Sequence, residues 1–491
     1  SAVQIAMCPL WPFHYVILYL LLVIPLLLVF TPTVSSFQSA VPSTLKVKFD
    51  PPSVKKLEEA ASVLVNFSTT EVAKLKDDNY YEIKSSDDGV AKVTSGEIIY
   101  LNATPIDSNR VWSFNLTGVF MGYAKVRVKL KSSNSEVIKE SEDLAVSVVR
   151  RYHVLDKIFV YSIIGLVSFA YINMGCTMDL DVVKKVMRRP CAPLIGLISQ
   201  YIGMPLISFG LARLLLPLPS LQLGMFATGC SPGGGASNIW TLVLNGNLNL
   251  SLAMTFVSSV AAFGLMPAWL FSLGRIIFKE GDIVVPYRNI ASLIVGLVAP
   301  LAIGLAIQRW LPRLAGFMRR ILRPLSVCLI IYIVVFGTVS NLYIFKIFTW
   351  QMILAGFLLP FLGFAIGALL SRIFSFPLED IIAIAVETGV QNTGVSIFIL
   401  RLSLEQPDAD LTTAVPVAVA IMTPIPLFIL WIIRKVWSPS KDINDNPKGD
   451  PIHTIESYDD MINNAKRPED CLLDNKPVAI ATQTSDQGLY M

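Results

Sequence analysis

Histidine is scarce and scattered in this chain: His14, His153 and His453 are the only three in 491 residues. No His-Glu-x-x-His pair is present, which removes the zinc-dependent intramembrane protease from consideration. Cysteine is nearly as sparse. None of the six lies between Cys8 and Cys176, so that stretch has no disulfide framework. Charge is short as well, at 15% of residues against about 25% in a soluble globular protein. The deficit is local to 154–435, where acid is scarcest of all: within the long apolar runs Glu387 is read as the sole carboxylate. A charge at mid-bilayer costs roughly 2.5–3.5 kcal/mol even on an insertion scale, so it marks an ion or substrate path. Basic and acidic residues balance in 37–151, at 16 against 15, and the net charge is only +4. That leaves no basic footprint for nucleic acid.

Apolar sequence is what the chain has in quantity, 53% of its residues. Residues 15–30 form an apolar run followed by Thr31-Pro32-Thr33-Val34-Ser35-Ser36. The segment 1–36 therefore reads as a signal peptide, cleaved after Ser36, or as a signal anchor; either places residue 40 outside the cytosol. Residues 37–150 read as a β domain. Ala124-Lys-Val-Arg-Val-Lys-Leu-Lys131 alternates strictly, and Leu45-Lys-Val-Lys-Phe49 and Val63-Leu-Val-Asn-Phe67 repeat the pattern of half-buried strands. Short strands separated by turns such as Ser85-Ser-Asp-Asp-Gly89 predict a β-sandwich. Three glycosylation sequons fall here, at Asn66, Asn102 and Asn115.

The region 154–435 parses into nine membrane-length spans: 156–175, 191–216, 219–246, 248–274, 287–308, 325–343, 349–370, 380–401 and 412–433. Lys184, Lys185, Arg188 and Arg189 lie in one loop, and Arg309, Arg313, Arg319, Arg320 and Arg323 in another on the same side. Glu405, Asp408 and Asp410 lie in a loop on the opposite side. The positive-inside rule then predicts an outside N-terminus and a cytosolic C-terminus. The tail 436–491 is acidic and broken by Pro, Asn and Asp, as expected of a disordered cytosolic segment.

Two spans are broken by helix-unfriendly sequence. Cys230-Ser-Pro-Gly-Gly-Gly-Ala-Ser-Asn238 combines a proline with three glycines, so the backbone is expected to unwind there. Unwound backbone at membrane depth survives only against protein or a cavity. Its freed carbonyls, with Ser237 and Asn238, are oxygen donors for a hard cation, although a packing kink would use the same glycines. The second is Glu387-Thr-Gly-Val-Gln-Asn-Thr-Gly394, with five polar side chains in seven residues. Helix–helix packing needs one or two small polar groups, not a carboxylate and two amides. Ser251 and Thr255 share one helical face, and Gln200 is a costly amide in mid-span. One interrupted segment in each half, running in opposite directions, is the pattern of an inverted-repeat transporter.

Asn173-Met-Gly-Cys-Thr-Met178, the span from Gln200 to Met204-Pro205, Cys230 to Asn238, Asn247-Leu-Asn-Leu-Ser-Leu-Ala-Met-Thr255 and Glu387-Thr-Gly-Val-Gln-Asn392 together resemble the sodium/bile acid symporter family over 154–435. The long domain ahead of the membrane region resembles its P3- and P5-like branch, yet Ser237, Asn238 and Gln391, which that branch tends to lose, are kept. The resemblance implies an all-α polytopic bundle of about nine transmembrane helices. That bundle has inverted repeats, two crossing broken helices and separate core and panel domains, behind the extracellular β-sandwich-like domain. It implies one sodium site of Ser237, Asn238, Ser251, Thr255 and Glu387, and a second of Gln200, Glu387, Thr388, Val390 through its carbonyl, and Gln391. Gly234, Gly235, Ala236 and Asn392 would face the substrate. No cofactor is implied beyond sodium as the coupling ion. The implied partners are sodium, a small amphipathic organic anion such as a bile acid or steroid conjugate, and the bilayer, with the plasma membrane as the expected location. The rival expectation is a receptor or adaptor that acts through the β domain and transports nothing.

Overall fold

The computed structural model describes residues 43–69, 79–100, 111–151, 154–318 and 342–437, short of positions 133, 135, 179, 189, 282 and 284–286. Residues 1–36, the tail beyond Trp437, Asn102 and residues 325–341 of the expected span 325–343 lie outside the described residues. The chain divides into two compact units, 1–432 and 433–491.

Alternating sequence builds the β domain. β1 (Ser43–Leu45), β10 (Val137–Ser141), β9 (Gly122–Lys131), β11 (Leu144–Val149) and β3 (Val54–Glu58) form one sheet, extended by β5 (Tyr80–Ser85) and β7 (Ile98–Tyr100). The second sheet runs β2 (Val47–Asp50), β4 (Ser62–Thr69), β8 (Val111–Gly118), β6 (Ala91–Ser95). The alternation in β9 delivers Ala124, Val126, Val128 and Leu130 to the core and the intervening lysines and Arg127 to the surface. Phe67, 1% exposed, lies between the sheets, stacked on Trp112 at 5.6 Å and meeting Tyr81 edge-on at 5.7 Å. The run 45–49, expected as one strand, is two. The ladder breaks at Lys46, and β1 pairs with β10 while β2 pairs with β4, so the chain changes sheets there. Asn66 and Asn115 both lie on the outer face of the four-stranded sheet.

Most of the expected spans are helices. Continuous helical stretches long and apolar enough to cross a membrane cover Cys191–Leu215, Leu248–Phe271, Tyr287–Trp310, Trp350–Ile373 and Asp408–Lys435. The first of these is α3 (Cys191–Ile198), a π turn (Ser199–Gly203) and α4 (Met204–Leu215). Ahead of it, α1 (Val154–Thr177) is followed by α2 (Leu180–Met187) across a sharp bend. The two expected broken spans are interrupted helices: α5 (Pro219–Gly229) with α6 (Ala236–Val243), and α12 (Leu378–Gly389) with α13 (Thr393–Ser403). Between and after them come α7 (Leu248–Phe271), α8 (Gly274–Glu280), α9 (Tyr287–Trp310), α10 (Leu342–Ile347), α11 (Trp350–Ile373), α14 (Asp408–Met422) and α15 (Pro424–Trp437).

One expectation fails here. Asp408 and Asp410 are not in a solvated loop, and Glu387 is not the only buried acid. Both aspartates open α14, at 9% and 1% exposure, where the unpaired N–H groups of a helix start favour negative charge. Asp408 accepts hydrogen bonds from Ser220 Oγ (2.6 Å) and from Tyr123 Oη of the β domain (2.7 Å). Asp410 is paired with Arg401 at the end of α13. Burial is tolerable because each carboxylate is hydrogen-bonded or ion-paired.

Helices α1 and α9 pack on each other through Gly175 and Gly304. A Cβ on Gly304 would come within 2.1 Å of the Ile172 carbonyl oxygen, which is backbone and cannot step aside. Gly296, on the same helix, has nothing within 4 Å of its Cβ position. Gly304→Leu is therefore expected to lower the thermal unfolding midpoint of the purified protein, by the order of the 1–3 kcal/mol typical of overpacking. Gly296→Leu should leave the midpoint in place, and equal midpoints for the two variants would contradict this packing.

Candidate functional site

The two helix breaks meet. Pro232 has no amide proton, and α5 stops at Gly229. The unwound stretch that follows crosses the break between α12 and α13 in antiparallel fashion, with Gly233 opposite Gln391. Gly234 N–H donates to the Val390 carbonyl at 2.7 Å, and Asn392 N–H donates to the Pro232 carbonyl at 2.9 Å. Backbone groups released by one break are thus taken up by the other. This modifies the expectation that the freed carbonyls are free for a cation. The Val390 oxygen already accepts one hydrogen bond, and only its second lone pair remains.

Glu387 lies in the last turn of α12, 1% exposed, with its carboxylate against this crossover. Its Oε2 accepts from Ser237 Oγ at 2.6 Å and Thr255 Oγ1 at 2.9 Å, and Ser251 Oγ is 3.5 Å away. Ser251 and Thr255 also reach Asn238 Oδ1, at 2.9 and 3.3 Å. The five residues expected around one cation are therefore one contiguous group of oxygens contributed by α6, α7 and α12. Each hydroxyl has a single proton, so several of these oxygens compete for donors and keep lone pairs. Thr241, fully buried one helical turn beyond Ser237, extends the group by donating to Ser251 Oγ at 3.2 Å. Sequence reasoning passed over it; a hydroxyl on the Ser237 face of a short apolar helix was the available signal.

The other carboxylate oxygen is different. Among the described residues nothing donates a hydrogen bond to Glu387 Oε1. It lies over Gly233, where a Cβ would sit 2.1 Å from it, so only glycine admits the carboxylate at this point. The Glu387 side chain also borders a cavity of about 10 Å³, with Gln200, Ser258 and Met254 in its wall. That volume holds roughly one water-sized sphere.

Gln200 and Gln391 form the second expected group. Gln200 Nε2 donates to Gln391 Oε1 at 2.8 Å and to the Ser231 carbonyl at 2.7 Å, while Gln391 Nε2 donates to the Thr388 carbonyl at 2.7 Å. Thr388 joins through that carbonyl only, because its hydroxyl turns back to the Ile384 carbonyl at 2.8 Å. Gln200 rides on the π turn, a feature sequence reasoning missed. Pro205 cannot offer an N–H to the Tyr201 carbonyl four residues earlier, and the Trp269 indole N–H fills that place at 2.7 Å. Of the residues expected to face the substrate, Gly235 and Ala236 are exposed and Gly234 is buried in the crossover. Asn392 is half-buried, with its side-chain oxygen capping α13 through Val395 N–H at 3.2 Å.

The donor set is one carboxylate with hydroxyl, amide and carbonyl oxygens, the hard and weakly charged surroundings that suit a cation of low charge. Among the described residues no three His, Cys, Asp or Glu side chains gather as a transition-metal site would require.

The profile described as the Sodium Bile acid symporter family matches residues 163–348. The P3 protein of Homo sapiens is 29% identical over 269 residues, 55% of this chain, and the chain spans only 56% of that protein's length. The Ileal sodium/bile acid cotransporter of Oryctolagus cuniculus is 31% identical over 258 residues, 52% of this chain and 74% of the relative. Sodium/bile acid cotransporter 5 of Rattus norvegicus is 25% identical over 351 residues, 69% of this chain and 80% of the relative. On the strength of these matches the chain belongs to the sodium/bile acid symporter family.

Proposed function

We propose that this protein is a sodium-driven symporter of an amphipathic organic anion. The observation that carries the reading is the Glu387 carboxylate, buried at the crossing of two broken helices with one oxygen lacking a protein donor. A buried carboxylate with an open oxygen is costly unless a cation answers it. The five residues around Oε2 would hold one sodium ion. The Gln200–Gln391 group, with the Thr388 and Val390 carbonyls and Glu387 Oε1, would hold a second. Sodium is cargo here, held by mostly neutral oxygens so that it can leave again.

The anion would meet the starts of α6 and α13. Both short helices begin at the crossover, and their unpaired N–H groups favour negative charge. Gly235 and Ala236 are exposed there, and Asn392 is half-buried. With sodium bound, the crossover is neutral enough to accept an anion, and rocking of the bundle that carries it against α1 and α9 would expose the site to each side in turn. A receptor with an inert membrane region would have no use for a buried carboxylate ringed by oxygen ligands. The P3-like relatives bear names that state no substrate, and the ileal relative's name joins sodium to bile acid. We infer the same ion for this chain and an anion of the same broad class.

Glu387→Gln keeps the shape and removes the charge. It is expected to reach the membrane at normal levels and to weaken sodium dependence of tracer uptake by at least about a hundredfold, roughly 2.7 kcal/mol. That lies below the about 4 kcal/mol of a unit ion pair at 4 Å with an effective dielectric of 20. Unchanged sodium-dependent uptake at equal surface level would end the two-site reading.

The orientation follows from the basic loops, with the β domain outside and the C-terminus in the cytosol of a plasma membrane. Residues 1–36 would then serve as a signal sequence. Asn66 and Asn115 lie diagonally across adjacent strands on the outer face of their sheet and, with Asn102, would carry glycans. Glycosidase digestion should shift the gel mobility of the parent protein, and changing all three asparagines to glutamine should abolish the shift. A parent protein that never shifts would place the β domain in the cytosol.

A further inference from the structure

The hairpin between β8 and β9 enters the helical bundle. Met121 at its tip is 2% exposed and belongs to the same apolar cluster as Leu211, Leu221, Met352 and Leu411, from α4, α5, α11 and α14. Phe120 packs beside it under the Lys346 ammonium, 6.0 Å from the ring centroid. Two residues on, Tyr123 Oη donates to Asp408, whose other oxygen is taken by Ser220 at the start of α5. Arg150, the residue after β11, lies 3.9 Å from Asp410. A further contact, Lys56 with Glu405 at 2.8 Å, is largely exposed at both ends and contributes little. The buried methionine and the hydrogen-bonded aspartate are what seat the hairpin.

The helices that share a cluster with Met121 are α4, α5, α10, α11 and α14, and Tyr123 meets the start of α14; α1 and α9 have no part in that cluster and pack on α5 and α13 in a separate one. Yet the β domain is covalently joined to α1. Residues 150–153 alone separate Val149 from Val154. Fully extended, that connection spans at most about 17 Å, and its first residue is already held near Asp410.

We propose that the β domain is a strap across the two helix groups, wedged into the bundle with the crossover by Met121 and Tyr123 and tied to α1 by a four-residue tether. It restrains how far the groups can move apart at that end. Unseating the wedge or lengthening the tether releases the same restraint. The proposal rests on the alternating-access reading for its use in transport, but the restraint itself is a property of the fold.

The seat is tested first with thiol labelling of purified protein in detergent. Met121→Cys should be protected and Val119→Cys, 47% exposed on the same hairpin, should label freely. Equal labelling would overturn the docking. The restraint is read from spin-label distances between Tyr161→Cys on α1 and Leu214→Cys on α4, both well exposed, with the six native cysteines replaced. The distance distribution should broaden on Met121→Asp. It should broaden to a similar extent when about eight Gly/Ser residues, a flexible reach of roughly 15 Å, are inserted between Arg151 and Tyr152. Combining the two should add nothing further, as expected of changes that act on one coupling. An unaltered distribution in either variant overturns the strap. Sodium-driven flux in the parent with unaltered distributions would leave the transport reading standing and the strap refuted. Broadened distributions with no sodium-driven flux in the parent would do the reverse.

Discussion

Two backbone hydrogen bonds carry the arrangement of the site: Gly234 N–H to the Val390 carbonyl and Asn392 N–H to the Pro232 carbonyl. A helix interrupted at membrane depth strands amide and carbonyl groups where water is not available, at several kcal/mol for each group left unpaired. Crossing two such interruptions lets each satisfy the other. Close approach is the condition for those bonds. It explains why Gly233 and Gly234 lack side chains, since a Cβ on the second would press on the Gln391 carbonyl at 2.8 Å. The same closeness brings Ser237, from one broken helix, within hydrogen-bonding distance of Glu387 on the other. The chemistry of the site is therefore a by-product of how the breaks are repaired.

A single carboxylate serves two groups of neutral oxygens in this arrangement. Oε2 is satisfied by hydroxyls from α6 and α7, and Oε1 has no donor among the described residues. Joining the groups through one residue links their occupancy by electrostatics: a cation against one oxygen lowers the negative potential felt at the other. The amide pair of Gln200 and Gln391 brings geometry without charge. Its donors are spent on protein carbonyls and on each other, which leaves oxygen lone pairs as the groups still on offer.

The parts of this fold that were legible in the sequence are those that break a local rule. Glu387 in an apolar run, and proline with three glycines at 232–235, contradict the composition of a membrane helix, and both prove to sit at the crossover. Strict alternation revealed β9 for the same reason. What could not be read depends on partners remote in the chain. Asp408 resembles a loop residue until Ser220 and Tyr123, 188 and 285 residues away, are brought to it. The run 45–49 looks like one strand because alternation does not reveal that Lys46 lies between two sheets. Thr388 was rightly singled out as polar, but only the structure turns its hydroxyl back onto its own helix and leaves the carbonyl to take part.

The π turn at Ser199–Gly203 holds one residue more than an α-helical turn would. The extra residue is taken up as a local bulge, so α3 and α4 continue as one span on either side of it. Loss of one residue here would let the turn close into ordinary α-helix and leave Met204, Ser208 and Leu211 buried on their own faces. What would go is the widened turn on which Gln200 rides, so a relative shortened by one residue at this point would keep its packing and lose the presentation of that amide.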